Sequence, residues 1–247
     1  MYLRSIFATA AVALLGSAAS AQTLIHRYTF GGDASDSIGS ANGTLNSGAV
    51  ASGGVLTLDG VAANVSFTQH IVPTSGAYSV AFFARQNSLQ GHYIEWISQG
   101  FSGGPGFYVG YDPSGGIRAT DSWPTTGTSF TANGAFEHVA LVTNGSNSSL
   151  YLNGTLAASL VGGLNTTASG DNTRFGGQFG GLGELFQGNI KDMRIYTGAL
   201  SAQQVTALAS TTPEPGTLAL VTALGITGLG FARRRKRNLQ AGRETSF

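Results

Sequence analysis

Apolar and polar residues alternate in several short stretches along the middle of the chain, and turn-forming residues separate these stretches. Such alternation is typical of β-strands that have one buried face. The clearest predicted strands span residues 78–85, 107–111, 136–143 and 190–196. Between strand-forming flanks, Asn153-Gly154 matches the sequence of a two-residue hairpin with a type I′ turn. Short strands at this spacing predict a β-sandwich rather than alternating strands and helices.

One helix is predicted after the last strand. Ser201 stands where an N-cap is expected, and Gln204 follows three residues later, which is the pattern of a capping box. Leu200, Val205 and Leu208 can form the apolar face of this helix. We therefore expect a short helix that packs on the sandwich through these three side chains.

The first 21 residues have the pattern of a secretion signal peptide. Arg4 supplies a positive charge, residues 6–16 form an apolar stretch, and Ala19-Ser20-Ala21 matches the small-residue cleavage pattern. Cleavage is expected between Ala21 and Gln22. The alternative is a retained N-terminal membrane anchor, which is disfavoured because the apolar stretch is too short to span a bilayer.

The C-terminal segment, residues 211–237, has three parts. Pro213, Glu214 and Pro215 open it, an uncharged apolar stretch follows at 216–232, and the basic cluster RRRKR occupies 233–237. The apolar stretch is at the short limit for a transmembrane helix. The positive-inside rule places the basic cluster, and with it the tail 238–247, in the cytoplasm. The domain before this segment is therefore expected outside the inner membrane.

This three-part order resembles the PEP-CTERM sorting signal. The resemblance implies a Gram-negative bacterium that makes exopolysaccharide, and processing of the chain by an exosortase. The C-terminal helix would then hold the protein in the membrane only transiently, before release or attachment at the cell surface or in the extracellular matrix. The tail 238–247 is a departure, because the family usually ends close to the basic cluster. The alternative is a simple single-pass anchor.

Composition and charge narrow the class of the central domain, residues 22–210. The chain is 42% hydrophobic and 10% aromatic, which excludes disorder in spite of its 37 glycines. Residues 22–212 contain six Lys/Arg and ten Asp/Glu, a net charge of −4. The basic surface that nucleic-acid binding requires is therefore absent from the sequence of this domain. The chain has no cysteine, which excludes thiolate catalysis and cysteine-ligated metals.

Four stretches of the central domain resemble the laminin-G-like (concanavalin A-like) jelly-roll family. They are residues 26–45, with Asp36-Ser37 and Asn42-Gly43 in a loop, and residues 56–60, 136–159 and 186–208. The last stretch joins a closing strand to the terminal helix, and Phe136 stands where the family usually has tryptophan. The resemblance implies an all-β jelly-roll sandwich. Because the matching residues are mostly core and turn positions, it implies a fold rather than an activity.

A calcium site is the metal hypothesis that the residues support best. The loop at 33–42 is rich in the oxygen ligands that calcium prefers. The laminin-G-like resemblance implies one structural calcium between this loop and the acid of the closing strand, which gives Asp36, Asn42 and Asp192 as candidate ligands. The family often has Asp-Asp at the closing strand, where this chain has Lys191-Asp192. The alternative is that the loop acids only form side-chain-to-backbone turn bonds.

The sequence contains no recognisable catalytic pattern. Glycosidases need two carboxylates across the scissile bond, but Glu95 and Glu137 are isolated in their predicted strands. Residues 100–104 match the string G-x-S-x-G, yet the Gly-Pro-Gly that follows cannot start the helix that a nucleophile elbow requires. We therefore expect a protein that is not an enzyme.

Aromatic residues between 93 and 123 provide candidate glycan contacts. Trp123 lies in a polar stretch and Tyr111 ends a predicted strand, so both are candidates for stacking on a sugar ring, whereas Trp96 is expected in the core. The expected function is association of an exported domain with exopolysaccharide or another surface glycan. The alternatives are protein–protein adhesion, a structural role in the matrix and, less favoured, a polysaccharide hydrolase or lyase.

Overall fold

The computed structural model describes residues 22–100, 107–119, 127–161, 172–178 and 183–211. The predicted signal peptide and the sorting motif with its apolar stretch lie outside these ranges. The strands are β1 (Thr23–Tyr28), β2 (Thr44–Asn46), β3 (Val50–Ser52), β4 (Val55–Asp59), β5 (Asn64–Ser66), β6 (Tyr78–Arg85), β7 (Ile94–Gln99), β8 (Phe107–Tyr111), β9 (Ile117–Ala119), β10 (Glu137–Thr143), β11 (Asn147–Leu152), β12 (Thr155–Val161), β13 (Thr173–Phe175) and β14 (Gln187–Thr197). The helix is α1 (Ala202–Ser210). Within the described ranges, no helix has the length and hydropathy that a membrane span needs.

The strands form two antiparallel sheets that pack face to face. The larger sheet has the order β12-β11-β10-β6-β14-β4-β3, and β1 also pairs with β14. The smaller sheet has the order β2-β5-β13-β7-β8-β9. Many neighbouring strands are distant in sequence, as in a jelly roll, where the chain crosses between the sheets. The predicted all-β jelly-roll sandwich is confirmed.

Strand β14 organises the larger sheet because it pairs along both of its edges. One edge pairs with β6, whereas the other pairs first with β4 and then with β1. The register against β6 shifts between Lys191 and Arg194, and Asp192 at this bulge has a φ of 50°. Aspartate adopts this left-handed conformation more readily than most residues. The bulge therefore lies near the point where β14 changes partner.

The core between the sheets is built on two groups of aromatic rings. Trp96 is central to the first group, with ring centroids 5.2 to 6.1 Å from those of Phe82, Tyr111, Phe130 and Phe186. Since Trp96 belongs to β7 and Phe82 to β6, their contact joins the two sheets. The second group contains Tyr28, Phe30, Phe67 and Phe175. Full burial of one large apolar side chain stabilises a fold by about 1.5–3 kcal/mol.

The predicted turn and helix cap are both confirmed. Asn153 and Gly154 have φ values of 51° and 78°, the positive values that a type I′ turn requires, and they connect β11 to β12. At the start of α1, the Ser201 hydroxyl oxygen accepts from the Gln204 N–H at 3.2 Å, and the Gln204 side-chain oxygen accepts from the Ser201 N–H at 2.8 Å. These bonds satisfy donors that a helix end leaves without partners.

Helix α1 covers part of the outer face of the larger sheet. Val205 is fully buried and, with Leu200, belongs to a cluster that includes Ala140 and Tyr151 of the sheet. Leu208 packs against the same cluster. The predicted apolar face of the helix is therefore the face that contacts the sandwich.

His138 is buried on this outer face without a full set of hydrogen bonds. It lies opposite Phe83 in the β10–β6 register, with the two rings 4.9 Å apart. Its Nδ1 has no hydrogen-bond partner in the part of the chain that the structure describes. Burial, together with the Arg194 charge and against the effect of Asp192, lowers the pKa of His138 to about 4. The imidazole is therefore neutral in the folded protein at mildly acidic pH.

Replacing His138 by leucine is expected to remove an acid sensitivity of the fold. Between pH 6.5 and about 4 the unfolded chain binds a proton that the folded protein does not. The wild type should therefore lose free energy of unfolding relative to His138→Leu as the pH falls, by up to about 1.4 kcal/mol per pH unit. Denaturant unfolding at several pH values across this range measures the difference.

The control for this prediction is Val142→Ala, a loss of packing on the same face. It should lower the free energy of unfolding by a similar amount at every pH, because no ionisable group is changed. A difference between wild type and His138→Leu that stays constant with pH would contradict the prediction.

Candidate functional site

Charged and aromatic side chains converge on the outer face of the smaller sheet. Ile94 and Trp96 of β7, like Ile117 and Ala119 of β9, belong to the core. The residues between them, Glu95 and Arg118, therefore lie on the opposite face of the sheet. The same alternation places Tyr108 of β8 and Arg174 of β13 on that face. Together with the adjoining Tyr93 and Glu184, these residues form a surface that we call the Glu95 face.

A β-bulge holds Glu95 in this face. The register between β7 and β8 shifts between Glu95 and Ile97, and the Glu95 N–H donates to the Glu184 carbonyl oxygen at 2.9 Å. Gly110 lies opposite Glu95, and a Cβ there would come within 1.8 Å of the Ile94 carbonyl oxygen. The two backbones can approach this closely only because residue 110 is glycine.

Glu95 is a buried carboxyl that keeps its proton at neutral pH. It is 1% exposed, and its Oε2 has no hydrogen-bond partner among the described residues. Burial, and then the charge and side-chain hydrogen bond of Glu184, raise the pKa of Glu95 to about 9. The Ser98 hydroxyl and the Arg118 charge act in the opposite direction. A protonated carboxyl both donates and accepts hydrogen bonds, which is the capacity that a ligand hydroxyl group needs from its partner.

Arg118 is a cation held against two tyrosine rings. Its guanidinium carbon lies 4.4 Å from the centroid of the Tyr93 ring and 4.8 Å from that of Tyr108, within the range of cation–π attraction. Its Nη2 also donates to the Tyr108 hydroxyl oxygen. Tyr93 is 44% exposed, so this arrangement offers a ligand both an aromatic surface and a positioned donor.

Arg174 adds a second cation to the Glu95 face. Its Nη1 donates to the Gln178 carbonyl oxygen at 2.6 Å. Burial lowers the pKa of Arg174, and the charge of Glu95 opposes this effect. The face therefore combines two acids and two cations, which suits a ligand with many hydroxyl groups better than one with a high charge.

Glu184 is the second acid of the Glu95 face. Its carbonyl oxygen accepts from the Glu95 N–H, and its charge adds to the effect of burial in raising the pKa of Glu95. Glycosidases also use a pair of carboxyl groups, held about 5 Å apart or more so that substrate or water fits between them.

Asp36 folds its own loop and has no lone pair left for a metal ion. Its Oδ1 accepts from the N–H groups of Arg27 and Ile38 at 3.0 and 3.1 Å. Its Oδ2 accepts from the Ala41 N–H at 3.3 Å and lies 2.6 Å from the His26 Nδ1. Although burial acts to raise it, the bonds from His26 and from the backbone hold the pKa of Asp36 below its usual range.

The three candidate calcium ligands therefore do not fit a calcium site. Asn42 Oδ1 accepts from the Asp36 N–H at 3.0 Å. Asp192 accepts from Arg27 Nε at 2.7 Å and from Arg194 Nη2 at 2.6 Å, so a cation would have to displace two guanidinium groups. No group of three His, Cys, Asp or Glu side chains in the described ranges could hold a metal ion. At these residues the structure supports the alternative of turn bonds over calcium.

The structure also corrects one of the two candidate sugar-stacking residues. Tyr111 is 0% exposed, its ring stacks on Phe130 with centroids 5.9 Å apart, and its hydroxyl donates to Gln86 Oε1 at 2.6 Å. A ring packed in the core cannot stack on a ligand. Trp96 is in the core as expected. Trp123, and all of the G-x-S-x-G string after its first glycine, lie outside the described residues.

Glu137, the other isolated acid, has a structural role. Its carboxylate accepts from the Thr131 N–H at 2.6 Å, from the Thr131 hydroxyl at 2.8 Å and from the Asn153 side-chain amide at 3.2 Å. These bonds attach the loop before β10 to the β11–β12 turn. The Glu137 carboxylate therefore links these two loops.

Sequence reasoning missed Glu184 and Arg118 as members of the Glu95 face. Both are distant from Glu95 in sequence, and only the order of strands in the smaller sheet brings them together. The available signal was Glu95 itself, an acid in the run Tyr93-Ile94-Glu95-Trp96. A buried acid requires polar partners, but the sequence alone does not show which residues these partners are.

The family and the fold relatives of the chain are consistent with this architecture. A family model described as the concanavalin A-like lectin/glucanases superfamily matches residues 59–206, which is more than half of the chain. The chain therefore belongs to this family, and the laminin-G-like resemblance is confirmed. No curated protein matches the chain significantly by sequence.

Several solved structures share the fold at low sequence identity. Domain 4 of AbnA, a GH43 extracellular arabinanase from Geobacillus stearothermophilus solved in complex with arabinotriose, is 22% identical, with a TM-score of 0.63 over 76% of this chain and 99% of that domain. A Trypanosoma rangeli sialidase is 15% identical, with a TM-score of 0.61 over 78% of this chain and 33% of the sialidase. The binding domain of Paraclostridial Mosquitocidal Protein 1 is 14% identical, with a TM-score of 0.50 over 76% of this chain and 52% of that chain.

These neighbours correct the expectation that the protein is not an enzyme. The same fold occurs in a domain of an arabinanase and within sialidases, so the fold gives no ground for excluding an enzyme. The chain spans 33% of the length of the sialidase that it matches. At these identities the likeness shows the fold alone.

The first prediction from this site concerns Asp36 and calcium. Asp36→Asn is expected to lower the free energy of unfolding by about 2 kcal/mol, because it weakens several hydrogen bonds to a charged acceptor. Calcium and a chelator should leave the melting temperature of the wild type unchanged. Asp33→Asn is the control and should have a smaller effect, since the exposed Asp33 accepts one bond, from the Ser35 N–H at 3.0 Å. A calcium-dependent rise in the melting temperature of the wild type, absent in Asp36→Asn, would contradict this prediction and support the calcium site.

The second prediction is that Glu95→Gln stabilises the fold at high pH. Between pH 4.5 and about 9 the folded protein keeps a proton on Glu95 that the unfolded chain releases. The wild type should therefore lose free energy of unfolding relative to Glu95→Gln as the pH rises, by up to about 1.4 kcal/mol per pH unit. Denaturant unfolding across this range measures the difference.

The matched variant Glu137→Gln should instead destabilise the protein at neutral pH, because its carboxylate accepts three hydrogen bonds. If wild type and Glu95→Gln differed by the same amount at every pH, Glu95 would not hold its proton as described.

Proposed function

We propose that the domain binds a glycan at the Glu95 face and that it does so outside the cell, in association with an exopolysaccharide or another surface glycan. The observation that carries the proposal is the grouping of a protonated buried acid, a positioned guanidinium and a partly exposed tyrosine ring on one face. The likeness to an arabinanase domain solved in complex with arabinotriose supports the class of ligand.

Each group has a distinct part in the proposed complex. The exposed ring of Tyr93 stacks on the apolar side of a sugar ring, and this contact excludes water. Arg118, held by the two tyrosine rings, donates to sugar hydroxyl oxygens, and Glu184 accepts from sugar hydroxyls. Glu95 forms the floor, where its protonated carboxyl does not repel a hydroxyl oxygen.

Delivery to the outside is proposed from the two ends of the chain. The signal peptide, cleaved between Ala21 and Gln22, exports the protein across the inner membrane of a Gram-negative bacterium. The motif Pro213-Glu214-Pro215 and the apolar stretch 216–232 then hold it in the membrane until an exosortase processes the tail. Trp123, which follows β9 in the sequence, stays a further candidate for stacking on the glycan.

Retention of the purified protein on immobilised exopolysaccharide from its own organism tests the proposal. Tyr93→Ala and Arg118→Gln should each weaken binding about tenfold, which corresponds to about 1.4 kcal/mol of binding free energy. Leu156→Ala, an exposed position on β12 of the larger sheet, is the control and should bind as the wild type does.

Two results would redirect the proposal. Equal retention of wild type, Tyr93→Ala and Arg118→Gln would exclude the Glu95 face as the binding surface. Release of reducing ends from the glycan, lost in Glu95→Gln but kept in Glu137→Gln, would assign glycan cleavage to this face in addition to binding.

A further inference from the structure

Two cations of the domain have no acidic partner in the part of the chain that the structure describes. Of its six Lys/Arg residues, Arg27 and Arg194 pair with Asp192, and Arg118 and Arg174 lie near Glu95. The remaining two are Arg85 and Lys191, and within the described residues neither forms an ion pair with a carboxylate.

Both of these cations contact the same aromatic ring. The Arg85 guanidinium carbon is 4.5 Å from the centroid of Phe136, and the Lys191 Nζ is 5.4 Å from the same centroid. Arg85 ends β6 and Lys191 belongs to the neighbouring β14. An anion bound near this ring would be attracted by both charges.

The Arg85 guanidinium is held in place before any ligand arrives. Its Nε and Nη2 donate to Asn189 Oδ1 at 3.1 and 2.9 Å, and Asn189 Nδ2 donates to the Thr57 hydroxyl oxygen at 2.9 Å. These bonds leave Nη1 without a partner among the described residues. A guanidinium fixed in this way loses little conformational entropy when it binds an anion.

A cleft of ≈ 250 Å³ opens beside Arg85. Residues 85–88 line one side and residues 187–189 line the other. Of the lining residues with side-chain amides, Gln86 and Asn189 already bond to protein groups, which leaves Asn87 and Gln187 for a ligand. At Gly188 a Cβ would lie 2.5 Å from the Arg85 carbonyl oxygen, so the close approach of the two walls requires glycine. Pockets for drug-sized ligands measure about 300–1,000 Å³, so this cleft suits a single sugar residue.

We propose that this cleft, which we call the Arg85 cleft, binds an acidic sugar residue of a polysaccharide, with Arg85 contacting its anionic group, Lys191 adding positive charge from the Phe136 ring that it shares with Arg85, and the amides of Asn87 and Gln187 contacting its hydroxyls. The anionic group is a carboxylate, as in a uronic acid, or a sulfate ester. The proposal shares the class of ligand with the proposed function. It concerns a different sheet and different residues, so an experiment can exclude either proposal without excluding the other.

The chemistry favours an acidic sugar over a nucleic acid. Two cations neutralise one anionic group, whereas a nucleic acid presents a row of phosphates that requires an extended basic surface. The net charge of −4 over residues 22–212 would repel such a polyanion. Amides beside the cations match the alternating hydroxyl donors and acceptors of a sugar.

Calorimetric titration of the full protein with trigalacturonate, with a sulfated trisaccharide and with a neutral trisaccharide of the same length tests the proposal. The wild type should bind at least one of the two acidic probes at least tenfold more tightly than the neutral one. That preference should shrink as salt is added, because the contact is ionic. Preference for trigalacturonate identifies the anion as a carboxylate, and preference for the sulfated probe identifies it as a sulfate. Equal binding of acidic and neutral probes would overturn the proposal.

Variants distinguish the Arg85 cleft from general charge attraction and from the Glu95 face. Arg85→Gln and Lys191→Gln should each weaken binding of the acidic probe at least tenfold, and Arg85→Lys should recover part of the loss. Arg118→Gln makes the same change of charge at the Glu95 face, where it should weaken the acidic and the neutral probes alike and so leave the preference for the acidic probe intact. Loss of that preference in Arg118→Gln to the same extent as in Arg85→Gln would overturn the proposal in favour of non-specific attraction.

The stability of each variant is measured by thermal unfolding. Because Arg85 also bonds to Asn189, Arg85→Gln can lower the melting temperature, whereas Lys191→Gln removes only the contact with Phe136. Loss of binding in a stable Lys191→Gln supports the cleft even where Arg85→Gln unfolds. Unchanged binding in Lys191→Gln would overturn the role of the paired cations.

Discussion

The contact of Trp96 with both sheets is the interaction on which the rest of the structure depends. Trp96 belongs to the smaller sheet, and its ring packs on Phe82 of the larger sheet and on Phe130 and Phe186 from the connecting segments. Its Nε1 has no hydrogen-bond partner among the described residues, so apolar packing outweighs the cost of an unsatisfied donor. Because side chains alternate along a strand, Trp96 in the core forces Glu95 onto the outer face. The core contact therefore positions the candidate site.

Burial determines the charge state of the isolated ionisable groups in this protein. Glu95 and His138 lie on different sheets, and desolvation is the largest cause of the pKa shift in both, so each is neutral near pH 7. The buried charges that persist are those with strong partners. Asp192 lies between two guanidinium groups, and Asp36 accepts from backbone N–H groups of β1 and of its own loop. The opposite shifts of Glu95 and His138 make the fold sensitive to both alkaline and acidic pH.

The two proposed ligand surfaces follow from how the cations of the domain are used. Arg27 and Arg194 stabilise the bulge of β14 through Asp192, so they are not available to a ligand. Arg118 is held by aromatic rings beside a protonated acid, an arrangement suited to hydroxyl groups. Arg85 and Lys191 share one aromatic ring, and Arg85 also lines an open cleft, which suits an anion. A polysaccharide with neutral and acidic residues could contact both surfaces, since they lie on different sheets of one sandwich.

Local sequence preferences were sufficient to predict much of the fold. Strand alternation gave the bounds of β6 and β8, the Asn-Gly pair gave the turn at Asn153, and the capping box gave the start of α1. These features depend on a few neighbouring residues, so they can be predicted without a structure. The opening loop was also recognised, but its acids were assigned to calcium, because oxygen-rich composition does not reveal which donors face those oxygens.

What only the tertiary structure decided is the pairing of residues that are distant in the chain. The meeting of Glu95 with Glu184, of Arg118 with Tyr93, and of Arg85 with Lys191 each depends on strand order. Tyr111 illustrates the same limit, because its position near the end of a strand gave no indication that its ring packs in the core. The sequence by itself therefore determined the fold class, the turns and the helix cap. The candidate site, its protonation and its free cations were determined by the packing of the two sheets, because burial and long-range contacts set the charge and partners of each side chain.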